Sequence, residues 1–183
     1  MTADLRDTVV RVALPAFAIL VILRVARQRR LSFREDLGLQ FPSYEKALLW
    51  VAVFVALMVV QELLWKALGL PPPEPWRNKY TGVMKIVRVF AMAVLAPVSE
   101  ELLFRGIIYH TIAVTPLKDA GAIAITSVAF AVLHFQYGIG EMSFILFDAV
   151  FYGIVRCSTG STGLTMIMHV LGNSYAAYQR LSP

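Results

Sequence analysis

Cysteine is almost absent: Cys157 is the only one in 183 residues. A lone thiol closes no intrachain disulfide and, without a CxxC partner, offers neither a redox pair nor a thiolate metal site. It reads as a packing residue. Histidine is scarce too, with three, and no His-Glu-x-x-His occurs, which removes the helical zinc-protease motif. Charged residues make up only 16% of a chain that is 58% hydrophobic, with a mean hydropathy of +0.66. So little charge cannot coat a soluble domain. An unbroken apolar run of about twenty residues, the ideal span, is also missing. Several stretches come close to it, however, and charged or Pro/Gly-rich breaks divide them. An all-α, polytopic transmembrane helix bundle of about seven (six to eight) helices is expected. The chain shows no internal repeat, which counts against a transporter built from inverted halves.

The first apolar run, about Val9 to Val25, has no small-residue cleavage site before the arginines that close it, so it is expected to remain a helix and not a signal peptide. Arg24, Arg27, Arg29 and Arg30, with Arg34 and Lys46 farther on, mark the following loop as cytoplasmic by the positive-inside rule. The net charge of +5 is thereby explained by topology and lipid headgroups. The bases form no continuous face for nucleic acid, and no nucleic-acid partner is expected. Leu31–Tyr44 reads as a short interfacial connection. A second segment runs from about Lys46 to Leu64, with Trp50 and Trp65 as interface anchors.

Pro71-Pro-Pro-Glu-Pro75 cannot be helical and forms an extended linker. The linker divides the chain into N-terminal membrane helices over 1–81 and a helical core over 82–179. Trp76, Arg77, Lys79 and Tyr80 suit headgroup level, toward which Lys85 and Arg88 are expected to snorkel. Segment three covers about Gly82 to Ala96. Pro97 is expected to break the helix there, with Ser99 as the N-cap of a new helix, Glu100 to Val114, whose first-turn acids complement its dipole. Segments five, six and seven lie at about Ala122–Phe135, Met142–Val155 and Gly163–Tyr178, the last two short for spans.

The polar residues inside these runs carry the chemistry, because a charge at bilayer depth costs roughly 2.5–3.5 kcal/mol on insertion scales and is a functional candidate by default. Glu101 and Arg105 stand four apart with the acid first, the favourable order for an ion pair, and read as structural support. Glu100, about 100° around the helix, stays available. If segment four begins at Ser99, Glu100 opens it while His134 closes the antiparallel segment five. Counting crossings from the arginine loop then puts both at one level on the cytoplasmic side. A carboxylate and an imidazole sharing a water divide general acid–base work; alone, His134 would read as a core histidine bonded to a carbonyl. Phe130, one turn earlier, shapes the wall beside it. His169 and Asn173 leave one helix face and can stabilise an oxyanion, although Asn173 can equally be interhelical glue. His110 looks interfacial. Asp148 can bond a neighbouring helix, pair with Arg156 or take part in chemistry, and is left outside the catalytic set.

Glu-Glu-x-x-x-Arg, Phe-x-x-x-His and His-x-x-x-Asn, in that order on successive membrane helices, resemble the CPBP family. That family groups CAAX prenyl endopeptidases of the Ras-converting type with bacteriocin-processing and self-immunity proteins. The resemblance spans about Gly82 to Tyr178 and implies a glutamic-type intramembrane protease. It implies that Glu100 activates the water, His134 assists, and His169 with Asn173 holds the oxyanion; Glu101, Arg105 and Phe130 would support them. The implied substrate is a membrane-associated or lipidated peptide. The implied setting is a prokaryotic plasma membrane, with the site toward the cytoplasm. No cofactor is expected. The mechanistic alternative binds zinc through Glu100, His134 and His169, and the alternative of another class is a non-catalytic immunity or scaffold protein on the same fold. A proton-coupled carrier is a more distant reading.

Overall fold

The computed structural model describes residues 3–76, 80 and 82–181. Arg77 and Lys79, expected at headgroup level, lie outside the described residues. Among those described there is no strand, and six helices run in order: α1 Ala3–Gln28, α2 Tyr44–Ala67, α3 Gly82–Ala113, α4 Lys118–Val132, α5 Ile139–Thr159 and α6 Thr162–Leu181. Helices α1, α2, α3 and α5 are long and apolar enough to cross a membrane. Together they make the chain an integral membrane protein. Within α2 only Phe54 is buried, because a helix apolar all round in lipid has no single face to hide.

Six helices stand at the lower bound of the six to eight expected, because segments three and four are one helix. Pro97 lies inside α3 and does not end it. A π turn over Ala91–Leu95 precedes it, and a second π turn spans Leu102–Ile108. In a π turn the bonds reach five residues, so the ladder passes a residue that cannot donate. In a membrane the neighbours must satisfy whatever carbonyls this frees. Ser99 correspondingly caps nothing; its hydroxyl donates back to the Ala96 carbonyl at 2.8 Å.

The continuous α3 also reverses the parity of crossings. The arginine-rich connection between α1 and α2 meets the start of α6, where the Thr162 N–H donates to the Gly38 carbonyl at 2.8 Å and Ser161 Oγ to Gln40 O. At the opposite end the Trp76 N–H donates to the Arg180 carbonyl at 2.7 Å, and Leu70 lies against Gly140. His134 lies in the turn that follows α4. The crossing count that set its level beside the arginine loop rests on a break at Ser99 that α3 does not have.

The connection between α1 and α2 is also more than interfacial. Leu37 is fully buried and packs on Gly106, while Arg156 Nη2 donates to the Asp36 carbonyl at 3.1 Å. Gly38 has φ +68°, and a Cβ there would come within 2.8 Å of the Arg156 guanidinium. Only glycine fits both conditions. His110 finds a partner in this loop, with Nδ1 3.6 Å from Asp36.

Arg88 does not snorkel. It is buried, its Nη1 lies 2.5 Å from Asp7 Oδ2 on α1, and its guanidinium sits 4.3 Å above the Tyr80 ring. The ion pair ties the first half of α3 to α1. Two apolar clusters fill the bundle: Phe54, Phe151, Tyr152, Val155, Leu164 and Met168 form one, and Phe104, Phe130 and Ala149 the other. The polar residues of α3 and α6 lie between them.

Candidate active site

The six-residue stretch Ala96–Glu101 separates the two π turns and carries both glutamates. Glu101 points into the bundle and is fully buried, as is Arg105. Arg105 Nη1 bonds Glu101 Oε1 at 2.9 Å, and Nη2 donates to the Ala149 carbonyl at 2.8 Å. The guanidinium is held between Phe130 at 4.9 Å and Tyr152 at 5.5 Å. Two aromatic faces thus replace water around a cation that α3 carries through the apolar centre.

His169 reaches this pair from α6. Its Nδ1 lies 3.1 Å from Glu101 Oε1, and its Nε2 lies 3.7 Å from Glu100 Oε2. The imidazole thus stands between the two adjacent carboxylates. A carboxylate accepts hydrogen bonds, so Nδ1 carries the proton there and Nε2 is turned toward Glu100. The ring is stacked on Tyr152, 5.3 Å between centroids and 26° between planes, and meets the edge of Phe130 at 5.8 Å. These contacts fix its plane as Glu101 fixes its tautomer. Glu100 is different: its side chain is 29% exposed, and among the described residues no side-chain hydrogen bond of 3.5 Å or less engages it. A reactant can reach it.

Phe130 joins the two helical arms. Its ring touches Phe104 at 5.2 Å and His134 at 4.7 Å. The antiparallel register that sets residue 104 beside residue 130 sets residue 100 level with residue 134 one turn farther on. With α3 unbroken and α4 ending at Val132, Glu100 and His134 do not open and close two facing helices as a break at Ser99 would have them do. His134 Nδ1 donates to the Phe130 carbonyl at 2.8 Å, which leaves Nε2 with its lone pair. No hydrogen bond or ion pair links His134 to Glu100.

Asn173 comes one turn after His169, but its Nδ2 donates to the Met92 carbonyl at 2.9 Å. The amide holds α6 to α3 and keeps one further N–H. Asp148 accepts from Gln61 Nε2 on α2 at 2.7 Å, so it bonds a neighbouring helix. Arg156 is not its partner; Arg156 Nε donates to the Arg105 carbonyl at 3.2 Å, where Thr162 Oγ1 also donates at 3.2 Å. Among the described residues no three His, Cys, Asp or Glu side chains converge as a metal ion would require. Glu100, His134 and His169 are not gathered in that way.

Sequence reasoning passes over Tyr152, which supports both His169 and Arg105, and Thr162. Tyr152 gives one signal, its place four residues after Asp148 on the same helix face. Thr162 gives none, since its role depends on a carbonyl that only the π turn frees.

The family model described as type II CAAX prenyl endopeptidase Rce1-like matches residues 81–175, just over half of the chain, and includes every residue of this constellation. The chain belongs to the Rce1-like family. The resemblance to CPBP proteins is thereby shown, and membership supports a CAAX-type intramembrane protease, a hydrolase in general terms. Neither the curated proteins nor the solved structures contain a match to the chain. Within this Rce1-like chain the matched region takes in α3 from its first turn, α4, α5 and most of α6, so it includes both glutamates, His110 and His169 on helices and His134 in the turn after α4.

Proposed function

We propose that this Rce1-like protein hydrolyses a peptide bond in a membrane-associated or lipidated peptide, without a metal, using Glu100 as the base that activates water. The observation that carries the reading is the position of His169 between Glu101 and Glu100. Glu101 Oε1 takes both Arg105 Nη1 and His169 Nδ1 in the buried interior, whereas Glu100 stays partly exposed with its Oε2 facing His169 Nε2. Two neighbouring carboxylates with opposite environments can take different roles.

In the proposed reaction, water attacks the carbonyl carbon of the scissile peptide while Glu100 accepts its proton. The carbonyl oxygen becomes an oxyanion. His169 in its imidazolium form offers Nε2–H to that oxygen, held by Glu101 and by the Tyr152 face so that little reorganisation is needed. His134, with Nδ1 committed to the Phe130 carbonyl, presents Nε2 to the same water. Collapse breaks the C–N bond, and Glu100 returns its proton to the leaving amine. Water and peptide become acid and amine.

The test is cleavage of a farnesylated CAAX-type peptide and of a mixed membrane-peptide library by protein purified in detergent. Wild type is compared with Glu100→Gln, and products are read by mass spectrometry. Wild type should cut and Glu100→Gln should lose at least about a hundredfold in kcat, with wild-type activity unchanged by a chelator. Zinc bound in stoichiometric amount, with activity lost in chelator, would refute the metal-free chemistry. Equal silence of both folded proteins would favour a binding role such as immunity or scaffolding.

A further inference from the structure

The amide of Asn173 ends on a backbone oxygen, and the covalent structure of α3 explains why. The Ala96 N–H bonds the Ala91 carbonyl, five residues back. In that register the next carbonyl, Met92 O, would receive its bond from the nitrogen of residue 97. Residue 97 is proline and has no hydrogen to give. The donor of an ordinary α-helix at that carbonyl would be Ala96, which Ala91 already holds. Met92 O is therefore orphaned by the sequence itself, at a depth where water does not repair it. Asn173 Nδ2 supplies the missing bond at 2.9 Å.

This bond controls more than one carbonyl. A π turn contains one residue beyond the α count, so it rotates the C-terminal part of the helix by about 100° relative to the N-terminal part. The N-terminal part is tied to α1 by Arg88 and Asp7. The C-terminal part carries Glu100 and Glu101, three and four residues beyond Pro97. Relaxation of the turn would swing both carboxylates away from His169. The second π turn is held in the same manner, with Arg156 Nε and Thr162 Oγ1 both on the Arg105 carbonyl. The glutamate stretch is thus secured at each end by side chains from other helices.

We propose that Asn173 is a positioning residue: its amide caps the carbonyl that Pro97 leaves open at Met92, holds the π turn, and so sets the rotation at which Glu100 and Glu101 face His169. The clamp stands on backbone geometry alone; its effect on turnover rests on the protease reading. A donor that touched only the substrate oxyanion would have no dependence on residue 97.

That dependence is the test. Asn173→Ala is made in the wild-type chain and in Pro97→Ala, which restores a backbone N–H beside Met92 O, and cleavage of the farnesylated peptide is measured. Asn173→Ala should lower kcat at least about tenfold in the wild-type background with KM little changed. The loss should shrink at least about threefold in the Pro97→Ala background, since the two sites share one carbonyl. An equal loss in both backgrounds would assign Asn173 to the substrate and overturn the proposal. Isotope-edited infrared spectra of protein labelled with backbone 13C=O methionine read the clamp without turnover, with Met92 assigned by difference from Met92→Leu. The Met92 band should move to higher frequency in Asn173→Ala; an unmoved band overturns the clamp. A wild-type protein that cleaves nothing yet shows the shift would end the protease reading and leave the clamp standing.

Discussion

Glu101 and Arg105 show how much one pair of residues can carry. Both are fully buried, and their attraction has to offset the desolvation of two charges, which it does only with good geometry and further hydrogen bonds. Further bonds are present on part of each group: Ala149 O takes Arg105 Nη2 and His169 Nδ1 approaches Glu101 Oε1, while Glu101 Oε2 and Arg105 Nε are buried without a hydrogen-bond partner. Arg105→Met should therefore lower stability by about 3–5 kcal/mol, because it strands the Glu101 carboxylate. Unfolding of micelle-solubilised protein measures this. A change below about 1 kcal/mol, the range of exposed pairs, would mean that the pair is not held as described. The i, i+4 spacing makes this pair legible in the sequence. The third member, His169, is not legible as its partner, since 68 residues separate it from Glu101 and only the packing of α6 on α3 brings them together.

At the scale of elements, the connection between α1 and α2 reaches the site through Arg156. Gly38 leaves room for the guanidinium against the loop, where it serves the carbonyls of Arg105 and Asp36 at once. Gly38→Ala should cost about 1–3 kcal/mol in the same unfolding measurement, through left-handed backbone strain and the displaced guanidinium. It should also lower kcat, because the second π turn loses a donor. A variant as stable and as active as wild type would remove the loop from the support of the site. Pro97 misleads a reading of the sequence for a physical reason. Proline is a dependable stop where water accepts the broken ladder; in a bundle, π turns and polar side chains from neighbouring helices accept it instead. The sequence contains the device, Pro97 and Asn173, without showing that the two meet.

The whole molecule has two dissimilar ends. One gathers the arginine loop, the α3–α4 turn and the start of α6; the other gathers the proline linker, the α4–α5 turn and the end of α6. Lys and Arg lie at both ends, with Lys66, Lys85, Arg88 and Arg180 at the second, so the positive-inside signal of the first loop is not unopposed. Single cysteines at Arg30 and at Tyr137, placed in Cys157→Ser, should react with a membrane-impermeant maleimide from opposite faces of sealed vesicles. Seven crossings would put both on the same face, and that result would refute the continuous α3.

Residue order alone is enough to show a helical membrane protein, where its apolar segments lie, and which polar residues are candidates for its chemistry. Composition and the energetic cost of intramembrane charge decide these matters locally. Helix packing is what keeps α3 unbroken, sets His169 between two glutamates, and brings Asn173, Arg156 and Thr162 to backbone carbonyls. Each depends on which helices touch, and on carbonyls that become available only where a π turn has opened the ladder.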